Sequence, residues 1–226
     1  MTPSQIQLSL VKERIENAAI KAGRQASDVT LIAVSKTFDV EDIIPLLERG
    51  QRVFGENRVQ EAQGKWPELR KKYSGIELHL IGPLQTNKVA EAVSLFDVIQ
   101  TLDRPKLIAA LAKEIQKQGT ATKLLIQVNT GCEPQKAGVL PEDLEQFMGL
   151  AREQFKNKIT GLMCIPPVED DPTLHFSMLK SMAKTYHLPQ LSMGMSGDYE
   201  AAIAEGATYV RVGSAIFGTR PKPIQS

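Results

Sequence analysis

Cysteine and histidine are scarce in this chain. Its 226 residues hold two cysteines, Cys132 and Cys164, and three histidines, His79, His175 and His187. They fall at no metal-ligand spacing, so no metal centre is expected, and a reduced, intracellular chain is the simplest reading. An excess of one charge is also missing: 27 Lys+Arg face 26 Asp+Glu. No basic stripe is visible, which argues against nucleic-acid binding. No apolar stretch approaches membrane-spanning length, and the polar N-terminus lacks a signal-peptide core. The expectation is a cytoplasmic protein with no membrane partner. Glycine is absent from the turn Lys36-Thr37-Phe38-Asp39, where an open doubly wound sheet would often carry its Gly-rich fingerprint.

What is present is an alternation of short apolar runs and amphipathic segments. The strand candidates are Val29–Ser35, Arg52–Phe54, Glu77–Ile81, Asp97–Thr101, Lys123–Val128, Ile159–Cys164, Gln190–Met193 and Tyr209–Val212. Helical patterns separate them over Val40–Glu48, Arg58–Lys72, Asn87–Ser94, Arg104–Lys117, Leu140–Gln154 and Thr173–Tyr186, with a last one over Asp198–Glu205. Gly50, Gly119 and Gly206 stand just past helix ends, where a left-handed residue is wanted. An additional N-terminal helix, Gln5–Ala22, has Leu8, Val11 and Ile15 at helical spacing, with Ser4 and Gln7 as its expected capping box. This α/β pattern predicts a (β/α)8 TIM barrel filling residues 1–226 as a single domain, with 219–226 as a Pro-rich flexible tail.

The strand ends of such a barrel converge on one face. Lys36 follows the first strand. Half-burial there makes its amine available at neutral pH, as a Schiff-base lysine requires, although a surface lysine opening a loop fits the position equally well. Met195-Ser196-Gly197 follows the seventh strand, and Gly213-Ser214 the eighth. Small residues let backbone amides approach an anion, and these two loops are where barrels often hold a phosphate. Taken singly, Ser196 reads as a helix cap and Gly213 as a turn residue. Together with Lys36 they favour a phosphate site.

A Schiff-base lysine with a phosphate cradle suits two ligands, pyridoxal phosphate or a phosphorylated sugar in an aldolase-like reaction. The sixth strand ends in Cys164-Ile165-Pro166-Pro167, which offers the aldolase no acid or base. Arg211 shares a strand face with Tyr209 and Gly213 and can point inward. Beside a pyridine nitrogen it would donate a hydrogen bond and oppose ring protonation, leaving a weak electron sink. The alternative is a buried pair with a carboxylate such as Glu56. His79 reads as a satisfied barrel-interior histidine.

Five stretches now resemble the pyridoxal phosphate homeostasis protein family. They are Ala33-Val34-Ser35-Lys36-Thr37, Phe54-Gly55-Glu56-Asn57-Arg58-Val59-Gln60-Glu61, the run from His79 to Lys88, Ser192-Met193-Gly194-Met195-Ser196 and the run from Val210 to Gly218. The resemblance implies a barrel like that of alanine racemase, with pyridoxal 5'-phosphate as a Schiff base on Lys36. It places Asn57 near the ring, Arg211 at the ring nitrogen, and the phosphate at Ser196 and the amides of Gly213 and Ser214. It further implies a non-catalytic role in the balance of the cofactor (vitamin B6) and of amino and keto acids, with dependent apo-enzymes as partners and a monomeric state. The chain ends soon after Gly218, leaving no room for a racemase's second domain, and no tyrosine stands ready as an acid or base. A slow amino-acid racemase is the competing expectation, and a module docking through the first or the Trp66-bearing helix is a remoter one.

Overall fold

A computed structural model describes residues 1–218, so the expected tail at 219–226 lies outside the described residues. Eight parallel strands close into a barrel in chain order. They are β1 (Thr30–Val34), β2 (Val53–Glu56), β3 (Glu77–Leu80), β4 (Val98–Leu102), β5 (Lys123–Val128), β6 (Ile159–Cys164), β7 (Gln190–Met195) and β8 (Tyr209–Val212). β1 closes the ring on β8, with Thr30 opposite Tyr209 and Ala33 opposite Val212. The expected strands are all present, displaced at their ends by two residues or fewer.

The outer ring holds α1 (Pro3–Lys21), α2 (Val40–Glu48), α3 (Val59–Gln63), α4 (Trp66–Lys72), α5 (Val89–Leu95), α6 (Pro105–Gln118), α7 (Leu144–Phe155), α8 (Pro172–Thr185), α9 (Tyr199–Ala204) and α10 (Ser214–Phe217). The apolar faces of these helices pack on the strands' outward side chains, and this layer is the main core. A smaller cluster, Ile32, Val98, Leu125, Met163 and Tyr209, fills the barrel interior. Alternate residues of each strand feed the two layers. Gly50, Gly119 and Gly206 all adopt positive φ, as their places after helices predict.

Three local expectations are corrected. The cap of α1 is Thr2, whose side chain accepts from the Gln5 backbone while Gln5 reaches back, so the capping box sits two residues earlier. The helix expected over Arg58–Lys72 is two helices broken at Gly64-Lys65. Pro67 has no N–H to continue a helix from α3, but it fits the first turn of a new one. The short helix α10 was not expected at all; four residues are too few for periodicity to register.

Candidate functional site

A cavity of about 600 Å³ opens at the C-terminal ends of the strands. Lys36, Asn57, Ser196, Arg211, Gly213 and Ser214 all line it, so the barrel brings together the six residues expected around the cofactor. Val34, Phe38, Ile81, Ile165 and Met195 give it an apolar wall. None of the described tyrosines, histidines, aspartates or glutamates lines it.

Lys36 is half-buried, as expected. It is the second residue of a tight turn in which Phe38 N–H donates to the Ser35 carbonyl at 3.2 Å. The third residue, Thr37, has φ +67°. That is the position a type II turn reserves for glycine, and for a β-branched residue it costs about 1–3 kcal/mol. Something must hold the turn in place. The Lys65 ammonium, itself buried, donates to the Ser35 carbonyl at 3.1 Å and the Phe38 carbonyl at 3.1 Å. It is paired with Glu56 Oε1 at 2.8 Å and Glu61 Oε1 at 2.9 Å. Glu61 also accepts the Thr37 N–H. Glu56 Oε1 receives the Ser35 hydroxyl at 2.8 Å and the Trp66 indole N–H at 3.0 Å. Burial pushes the Glu56 carboxyl above its ordinary range, against the pull of Lys65, Ser35 and Trp66.

On the other side of the mouth the register between β7 and β8 slips: Ser192 faces Tyr209 but Met195 faces Arg211. This bulge is centred on Gly194 at φ +88°, where a Cβ would lie 2.5 Å from the Ala202 Cβ. It aims Ser196 at the loop after β8. There the Ser196 hydroxyl accepts from the N–H of Gly213 at 3.3 Å and of Ala215 at 3.4 Å. Ser196 does not cap α9, whose N-cap residue is Asp198. Ser196, Gly213 and Ser214 all border the cavity, and a small-residue loop of this kind suits an anion.

Arg211 is 4% exposed and points inward. It does not pair with Glu56; it donates to Ser192 Oγ at 2.7 Å and to the Cys164 carbonyl at 2.8 Å. From it a chain of bonds runs through the barrel interior. Ser192 donates to Gln100 Oε1 at 2.6 Å, Gln100 Nε2 meets His79 Nδ1 at 2.8 Å, and His79 Nε2 meets Glu77 at 2.7 Å. The chain starts on an obligate donor, Arg211, and ends on the Glu77 carboxylate. With the Ser192 hydroxyl donating to Gln100 Oε1, the Gln100 amide nitrogen faces His79 Nδ1, and His79 Nε2 faces the Glu77 carboxylate. His79 is thus a satisfied interior residue, fully buried and edge-on to Tyr209 at 5.1 Å. Burial pulls Arg211 below its ordinary range and pushes Cys164 up to about 12.

Sequence reading missed Lys65, Glu61 and the strained Thr37. It also missed Gln100, for which there was a signal: an amide inside the apolar run Val98–Leu102.

Fold and site together define a barrel of the alanine racemase N-terminal class, and the sequence profile described as "Alanine racemase, N-terminal domain" matches residues 6–221. A pyridoxal phosphate homeostasis protein from Aquifex aeolicus is 41% identical over 222 residues, covering 94% of this chain and 96% of the relative. Its counterpart in Escherichia coli K12 is 37% identical over 222 residues, covering 94% and 95%. The chain belongs to the pyridoxal phosphate homeostasis protein family. Among solved structures, PipY of Synechococcus elongatus with PLP bound matches at TM-score 0.77 and 35% identity, over 92% of this chain and 100% of that one. An alanine racemase from Clostridium difficile 630 matches at TM-score 0.67 and 13% identity, over 94% of this chain but 57% of the racemase, a likeness of fold alone. No described helix is long and apolar enough to cross a membrane.

Proposed function

We propose that this protein holds pyridoxal 5'-phosphate reversibly as a Schiff base on Lys36 and serves the intracellular balance of that cofactor, and with it of amino and keto acids. The observation that carries the reading is the convergence of Lys36, Arg211 and the Ser196–Gly213 cradle on one cavity. The fit is chemical. An amine, a buried inward guanidinium and loosely bound backbone amides answer an aldehyde, a pyridine nitrogen and a phosphate.

The cofactor, when bound, supplies an aldehyde that condenses with an amine. Lys36 Nζ would be that amine, with water as the product of condensation. Arg211, fixed by Ser192 and the Cys164 carbonyl, donates toward the ring nitrogen and opposes its protonation. Ser196 and the amides of Gly213 and Ser214 would hold the phosphate, and Asn57 would border the ring. Moving an amino-acid α-proton needs positioned acids and bases shielded from water. Lys36 alone is placed for that among the described lining residues, and Ile165 and Met195 are partly exposed at the rim. The reading is therefore a binding protein and not an enzyme, cytoplasmic, monomeric, and a donor to dependent apo-enzymes.

Incubation with the cofactor should give a yellow protein whose linkage borohydride traps on Lys36, and Lys36→Ala should stay colourless. A colourless wild type overturns the reading, and α-deuterium exchange into alanine at ordinary enzyme rates overturns its non-catalytic part.

A further inference from the structure

We propose that Lys65, acting with Glu61, is the positioning residue for Lys36: its buried ion cluster holds the lysine-bearing turn in a conformation that turn would not keep alone. This rests on the reading of Lys36 given above.

Four observations carry it. The Thr37 backbone stands at φ +67°, where a threonine is strained. Three backbone groups of the turn, the Ser35 and Phe38 carbonyls and the Thr37 N–H, are taken by two side chains from α3 and the residue before α4. The cation doing this is shielded from water: Lys65 is 7% exposed and its partner Glu56 is fully buried, while Glu61 is partly exposed. Finally, the break between α3 and α4 falls at Lys65 itself, which turns its side chain inward instead of along a helix surface.

A cluster that only stabilised the fold had no need to grip the residues on both sides of one lysine. Strained conformations persist where surroundings over-determine them, and they gather at working sites. Here the surroundings are a fixed cation between two carboxylates. Its three N–H donors go to the Ser35 and Phe38 carbonyls and to Glu61 Oε1, with Glu56 Oε1 alongside as an ion-pair partner at 2.8 Å. Released from that grip, the turn relaxes toward ordinary φ and carries the Lys36 amine away from its place in the cavity it shares with Arg211.

The test compares Lys65→Met, Glu61→Ala and each of these combined with Thr37→Gly. Glu61 is the gentler site, being partly exposed. Absorbance titration with pyridoxal phosphate should show each single variant binding about tenfold more weakly, the equivalent of about 1.4 kcal/mol. Adding Thr37→Gly should restore most of that loss, because glycine takes the positive φ without strain. Amide exchange at Thr37, measured without cofactor, should speed up in Glu61→Ala while the melting temperature stays near wild type. Should Lys65→Met fail to fold, the Glu61→Ala pair decides. Binding within twofold of wild type in Glu61→Ala, or no recovery with Thr37→Gly, overturns the proposal. A wild type with no trappable adduct fails the functional reading instead, and unchanged Thr37 exchange in Glu61→Ala then overturns this one separately.

Discussion

On the β1–β2 side of the barrel mouth, the backbone is gripped by buried charge: Lys65, Glu56 and Glu61 close around the turn that carries Lys36. On the β7–β8 side, no ion pair touches the Ser196–Gly213 loops among the described residues, and the shape comes from a bulge, glycines and one hydroxyl. Under the proposed function, the difference follows from what each side would present. A flexible lysine side chain needs its backbone origin fixed, and fixed charges in a low dielectric do that strongly. An anion needs amides already pointing outward, which backbone geometry supplies without any charged side chain.

The comparison can be broken on either side. The largest effect is expected at Gly194. In Gly194→Ala the new Cβ meets Ala202 and the Tyr199 backbone at a φ of +88°. Chemical denaturation should give a loss of about 3 kcal/mol or more. A near-neutral result would mean that the β7 bulge does not depend on glycine. Next comes Trp66→Phe, which strips the indole donor from buried Glu56. A charged acceptor losing a partner predicts a loss of about 1.5–3 kcal/mol. Ser196→Ala should cost less, about 0.5–1.5 kcal/mol, because two long bonds near solvent are lost and water can replace them. If Ser196→Ala proves costlier than Trp66→Phe, the contrast between a charge-held side and an amide-built side fails.

The smallest effect sharpens the comparison by pH. Burial raises the Glu56 carboxyl in the folded protein. A raised acid contributes stability that is fully present below its unfolded value and is lost as pH rises through its folded value. The stability advantage of wild type over Glu56→Gln should therefore shrink as pH climbs from the ordinary carboxylate range upward, in urea titrations at successive pH values. Ser196→Ala should show no such drift, and a matching drift there would remove the distinction.

Much of the fold was legible because each parallel strand, buried on both faces, reads as an apolar run closed by polar or glycine residues. Lys36, Ser196, Arg211 and Gly213 were legible for the same reason: each lies on, or within two residues of, such a run's C-terminal end. Asn57 needed the family resemblance as well. The break at Gly64-Lys65 was hidden because Val59, Ala62, Trp66 and Leu69 keep helical spacing across it. Thr37 was hidden because a threonine announces no positive φ.

By itself the sequence determined the alternation of strands and helices, and hence the barrel and the residues delivered to its mouth, since periodicity and strand-end position are local properties. Only the tertiary structure decided that Lys65 reaches back 30 residues to Ser35. It alone decided that Arg211 connects through Ser192 and Gln100 to His79. Gln100 and Ser192 meet because the closed ring turns β4 and β7 toward one interior, and Lys65 meets Ser35 because the residues after β2 pack over the turn after β1; no spacing along the chain encodes either contact.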